Sequence, residues 1–252
     1  MRVFDMDAFE RSLDGMWRAM VAMMLMGGVA SAQKNAEAAA RLARMAEISA
    51  AYRAALPSFS CEETVRSSRK FGGKVDAAEF RATIRVVVGP DGVMSEDSRI
   101  AEFDGKPVVD ASQVSVPFQV DGGFRRGVPL YFAQENQRCF QYKLRADRIE
   151  FKSMGGCVEP KGVKGVAYLD AAGELVRGVT EREERVALAA GLTTKTDVTY
   201  GPVVLNGGTF RLPVAMRAES DAPGLKKVFE AKYEGCRLYT TSVTLRPGGL
   251  VE

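Results

Sequence analysis

From residue 80 onward the chain repeats one pattern: apolar and polar residues alternate with a period of two, in runs broken by Gly, Asp, Asn and Pro. "EFRATIRVVV" puts Phe80, Ala82, Ile84, Val86 and Val88 on one face and Arg81, Thr83 and Arg85 on the other, as a half-buried strand requires. "CFQYKL" alternates Phe140, Tyr142 and Leu144 with Gln141 and Lys143, and "IEFKS" alternates Ile149 and Phe151 with Glu150 and Lys152. "GPDG" at 89–92, Asp104-Gly105 and "RADR" at 145–148 are the turns between such runs. The same grammar runs through "GVAYLDAAGELVRGVTERE", "TDVTYGPVVLNGGTFRLPVAMRAE" and "KKVFEAKYEGCRLYTTSV". It predicts an antiparallel meander of about eight to ten strands.

Before the meander the period changes. Residues 34–56 are alanine-rich, and Leu42, Met45, Ile48, Tyr52 and Leu56 recur at spacings of three and four. That makes one apolar stripe, ended by Pro57, and predicts a helix packed on the sheet in preference to one lying on a membrane. The fold class is therefore α+β, with one long N-terminal helix and an antiparallel sheet. Residues 110–137 follow neither period. A connection of that length is a functional loop or a small helical excursion. Phe124, Arg125, Arg126, Tyr131 and Phe132 could form the mouth of a pocket there; the more economical reading is a capping loop with its aromatic residues in the core.

Ala19–Val29 is an uninterrupted apolar run, shorter than the roughly 20 residues of a membrane-crossing helix and within the range of a signal-peptide core. Arg18 precedes it, and Ala30-Ser31-Ala32 supplies small residues at a cleavage site, so residues 1–32 read as a signal peptide and 33–252 as the mature domain. Asp5, Asp7, Glu10 and Asp14 do not suit a signal n-region, which points to Met16 as the true start. A periplasmic or secreted location follows, with no membrane span left after cleavage. In an oxidising compartment Cys61, Cys139, Cys157 and Cys236 read as disulfides. Of the three connectivities, the favoured one joins Cys139 to Cys157 across a hairpin and Cys61 to Cys236, tying the first strand to the last.

The search for chemistry returns mostly exclusions. The chain has no histidine, which removes Ser-His-Asp and Cys-His catalysis and His-ligated metals. "GGFRRG" and "FGGK" lack the spacing of phosphate-binding loops. Glu62 with Glu63, and Glu181 with Glu183 and Glu184, are the densest carboxylates, but "EREER" mixes signs as a solvated face does. A net charge of +3 with no basic tract argues against nucleic acid. No catalytic residue, metal site or cofactor is expected, and the chain is not expected to be an enzyme.

"AYRAALPSFSCEETV", "GVAYLDAAGELVRGVTERE", "DVTYGPVVLNGGTFRLPVAMRAE" and "FEAKYEGCRLY" resemble exported bacterial proteins that in turn look like the lipoprotein-carrier (LolA/LolB-like) and RseB-like superfamily. The resemblance implies a strongly curved antiparallel half-barrel around helical elements, with an apolar cavity on its concave side. No ligand-binding residue of the carriers falls on a matching position, so fold transfers better than function. Two functions stay open. One is binding of a lipid or lipidated protein in a pocket lined by Phe80, Ile84, Phe140, Tyr142, Phe151, Tyr168, Tyr200 and Phe210. The other is an extracytoplasmic interaction or sensor module, with no small ligand, working through a free sheet edge or the 110–137 loop.

Overall fold

The computed structural model describes residues 36–239 apart from 38, 90–91, 111, 113, 121, 126, 146, 155–161 and 185–190. The predicted signal peptide, Arg126 and Cys157 lie outside the described residues. The chain divides into two compact units, Met1–Arg44 and Met45–Glu252. In the first, the described residues are helical, with Arg41 paired to Glu37 one turn away at 2.7 Å.

The second unit opens with helical residues 45–54, then eleven strands. The helix ends at residue 54, before Pro57; of its predicted stripe Met45 and Tyr52 are buried, Leu42 and Ile48 are half-buried, and Leu56, also buried, lies just past its end. The strands are β1 (Phe59–Phe71), β2 (Lys74–Val88), β3 (Met94–Phe103), β4 (Lys106–Pro107), β5 (Phe140–Leu144), β6 (Arg148–Ser153), β7 (Val163–Leu169), β8 (Leu175–Glu184), β9 (Leu192–Leu205), β10 (Gly208–Ala222) and β11 (Leu225–Leu238). They form one curved, open antiparallel sheet in the order β4-β3-β2-β1-β11-β10-β9-β8-β7-β6-β5. The count exceeds the sequence estimate because the edge strand β4 is only two residues long, too short to show a period.

The order is that of two meanders sewn together by their outermost members in sequence. β1 pairs with β11 from Phe59–Leu238 to Phe71–Leu225, and the Cys61–Cys236 disulfide sits on that seam, at a bulge between Ser60 and Glu62. The bond joins residues 175 apart in sequence. In the chain-entropy picture, closing so long a loop is worth about 5 kcal/mol. Cys139 is also disulfide-bonded.

β4 and β5 lie at opposite edges of the sheet, so the chain between them, residues 108–139, must cross from one edge to the other. This explains both its length and its lack of strand period. It crosses on the face to which the alternating apolar residues point: Cys61 and Val65 of β1, Phe80, Ile84 and Val86 of β2, Phe229, Ala231 and Tyr233 of β11, Met216 of β10, Val198 and Tyr200 of β9, Ala167 of β7, and Ile149 and Phe151 of β6. That inner face and the crossing chain make up the core.

Candidate binding site on the inner face

Polar and apolar residues divide the crossing segment. In its first half, Ser67 of β1 lies inward and its hydroxyl closes a reciprocal pair with Phe118, donating to the carbonyl at 2.5 Å and accepting from the N–H at 2.9 Å. Phe118 meets the Phe229 ring edge-on at 6.4 Å. Four residues on, the backbone N–H groups of Gly122, Phe124 and Arg125 point at one carboxylate, Glu96 of β3. Burial nevertheless wins over those bonds and holds Glu96 above the ordinary carboxylate range. The fully buried Phe124 ring packs between Phe59 and Tyr233, at 5.2 and 5.0 Å, and its carbonyl accepts the Tyr52 hydroxyl at 3.0 Å. Burial raises Tyr52 and Tyr233 well above the usual phenol range.

In its second half, the segment forms two short 3₁₀ helices, Val128–Phe132 and Gln134–Cys139. The Val128 N–H donates to the Tyr200 hydroxyl at 3.0 Å. Its side chain occupies the space that Gly178 of β8 leaves open: a Cβ there would stand 2.3 Å from a Val128 methyl. Tyr131 and Phe132 then stack into a cluster with Phe140, Tyr142 and Phe151, all ring contacts falling between 5.3 and 6.1 Å. The Tyr142 hydroxyl donates to the Tyr131 carbonyl at 2.7 Å.

Among the described residues, two voids lie beneath the segment. The first, about 330 Å³, lies against β1–β3 and β11 and is lined by Glu63, Phe80, Ile84, Glu96, Ser98, Phe229 and Tyr233. Glu63, nearly buried, accepts the Ser98 hydroxyl at 3.1 Å. The second, about 180 Å³, lies against β7–β10 and is lined by Val128, Tyr131, Val163, Thr180, Arg182, Val198 and Met216. Val120, Gly122 and Gly123 line both and form the partition between them. Gly123 sits close enough to each wall that a Cβ there would meet the Tyr233 hydroxyl at 3.3 Å and the Met216 methyl at 3.5 Å.

No family model and no curated protein matches this chain. Solved structures do: a DUF1329 family protein from Desulfovibrio piger (13% identity, 81% of this chain and 92% of that one, TM-score 0.37), a LolA superfamily protein from Nitrosomonas europaea (13%, 79% and 94%, TM-score 0.33), and a putative outer membrane lipoprotein-sorting protein domain from Vibrio parahaemolyticus (12%, 80% and 93%, TM-score 0.37). The Nitrosomonas europaea protein carries the name of the superfamily that the sequence motifs resemble.

The residues singled out in the sequence are distributed over several places. Phe80 and Ile84 line the first void. Phe140, Tyr142 and Phe151 form the aromatic cluster, and Tyr200 is buried on the central strands beneath Val128. Tyr168 follows inward Ala167 and so lies on the other face, where the Arg177 guanidinium covers its ring at 5.4 Å. Phe210 pairs with Val203 beyond the bulge between Pro213 and Ala215 and is half-buried. In the loop, Phe124 and Phe132 are fully buried, Tyr131 is half-buried and Arg125 is exposed. Sequence reasoning missed Ser67 and Glu96 altogether, and named Glu63 only as one of an acidic pair. Glu63 carried a signal, since it shares strand parity with Cys61 and Val65 and therefore points inward. Among the described residues, no acidic, Cys or His cluster could hold a metal, and no helix is long and apolar enough to cross a membrane.

Proposed function

We propose that this chain is an exported binding protein for an apolar or lipidated ligand, held on the inner face of the sheet beneath the β4–β5 crossing. The carrying observation is the pair of voids whose linings share Val120, Gly122 and Gly123. Lifting that thin, glycine-rich partition joins them into one cavity within the usual size range of ligand pockets, with Phe80, Ile84 and Phe229 at one end and Val128, Val163, Val198 and Met216 at the other. The second void is walled mostly by apolar groups and suits hydrocarbon, while the first is mainly polar and offers Glu63, Glu96, Asp97, Ser98 and Arg125 to a head group or linker. Export to the periplasm or beyond is supported by the apolar run and small-residue site at 19–32 and by the Cys61–Cys236 bond.

Native mass spectrometry with solvent extraction, on protein exported from membrane-containing cells, tests this reading. Co-purifying acyl species are the expected result. A ligand-free mass in repeated preparations overturns it.

A second reading has its own support. Phe124 and Phe132 already fill much of the inner face with the protein's own side chains, and β4 and β5 end the sheet without strand partners among the described residues. An interaction module working through those edges is what a ligand-free result leaves standing.

A further inference from the structure

On the opposite face, strands β5–β9 carry a second concavity that the inner-face reading does not use. It is a groove of about 540 Å³ lined by the outward residues Gln141, Lys143, Glu150, Lys152, Lys164, Val166, Val179, Glu181 and Lys195, and touched by Phe151 and Gly165, whose alternation turns them inward. Strand register arranges the outward residues in two rows running across the strands. One row reads Gln141, Lys152, Lys164, Glu181, Lys195 and continues to Glu219 of β10, and the next, two residues or about 6.8 Å along, reads Lys143, Glu150, Val166, Val179 and continues to Asp197 of β9.

The first row is out of charge balance. Lys152 stands directly opposite Lys164, a like-charge pair that is unfavourable in a sheet unless something neutralises it. Glu181 lies 2.7 Å from Lys164, and Glu219 of β10, which continues the row opposite Lys195, is taken up by Arg217 and Lys226; Lys152 and Lys195 make no ion pair among the described residues. Glu150 in the second row is held by Arg145 and Arg148 at 3.5 and 3.4 Å. Beside this cationic row lie Val166 and Val179, one opposite the other, with no charge between them. Lysine stems add further methylene surface to the walls.

We infer that this outer groove is a binding site for a single-chain anionic amphiphile, its head group on Lys152 and Lys195 and its hydrocarbon along Val166 and Val179. A head group carrying one or two negative charges neutralises the row, and the chain covers the valine pair. A neutral amphiphile satisfies only the second condition, and a small anion without a chain only the first.

Two-dimensional NMR of the full chain, with disulfides formed, tests this with dodecanoate, dodecyl phosphate and the uncharged octyl glucoside as probes. Dodecanoate and dodecyl phosphate are expected to saturate shifts at Lys152, Lys164, Val166 and Val179, the tighter of the two telling a carboxylate head from a phosphate. Lys152→Gln/Lys195→Gln, which removes charge but keeps the stems, is expected to weaken both at least tenfold, as is raising salt, while octyl glucoside leaves these signals unmoved. Unchanged affinity in the double variant, equal binding of octyl glucoside, or shifts confined to Val120–Gly123 overturns the inference. That last pattern supports the inner-face reading, and shifts at Lys152 and Val179 alone support this one without it, so the two proposals fail separately.

Discussion

From Phe118 to Arg125 the crossing segment is tied by hydrogen bonds to Ser67 and Glu96 of the sheet and to Tyr52 of the helix, with the Phe124 ring buried between Phe59 and Tyr233, and leaves a void of about 330 Å³ behind it. From Val128 to Cys139 the same segment is wedged by side chains, Val128 over Gly178 and Tyr131 and Phe132 among Phe140, Tyr142 and Phe151, beside a void of about 180 Å³. The difference shows how one connection can be both core and lid. Dense aromatic packing is lost all at once with the fold, whereas a few polar ties can open locally while the rest of the core stays closed.

The largest effect is expected from breaking the wedged end. Phe132→Ala removes a fully buried ring that touches Tyr142 and Phe151, and is expected to cost about 3–5 kcal/mol of unfolding free energy in urea titration. A loss below ~1 kcal/mol would sink the view of this end as core. Overfilling it comes next. Gly178→Ala puts a Cβ 2.3 Å from a Val128 methyl, and is expected to destabilise by about 1–3 kcal/mol, an effect that Val128→Ala in the same chain relieves. The tied end should respond differently. Ser67→Ala leaves the Phe118 N–H and carbonyl without their hydroxyl partner, at about 1–3 kcal/mol. Hydrogen exchange should rise first in residues 116–120 while β5 and β6 stay protected; loosening of both ends together would contradict the comparison.

The smallest effect concerns Glu96 and is read in its pH dependence. Its carboxyl titrates higher in the folded protein than in the unfolded chain, so the native state binds the extra proton. Its contribution to stability is therefore whole below about 4.5 and is lost as pH rises through the raised folded value. Glu96→Gln keeps an acceptor for the Arg125 N–H and is expected to abolish that fall. Glu135, at the wedged end, has the opposite sign: the Arg53 guanidinium bonded to it holds its carboxyl low, so its contribution is present above about 4.5 and fades as pH drops. Glu135 is exposed, which makes its share small.

Much of this was legible from local pattern. Phe80, Ala82, Ile84 and Val86 are buried as their alternation requires, Met45 and Tyr52 as their helical spacing requires, and Cys61 does bond Cys236. Glu96 was not legible, because a carboxylate on a strand reads as solvent-facing until three backbone N–H groups from residues 122–125 are brought to it. Tyr168 was misleading for a related reason: an aromatic residue in a strand is as easily stacked under an arginine on the far face as turned into a cavity. The 110–137 segment could be read as a capping loop with aromatic residues in the core, as Phe124 and Phe132 are, but its course from one sheet edge to the other could not.

Sequence by itself determined the class of element at each position and which side of each strand is apolar, because periods of two and 3.6 are set by backbone geometry within a few residues. It also determined that histidine chemistry is excluded. Only the tertiary structure decided that β1 neighbours β11, which sends β4 and β5 to opposite edges and obliges the chain between them to cross the inner face. The voids, the glycine partition and the unbalanced lysine row all follow from that pairing, since each is built from residues that only the register of distant strands makes neighbours.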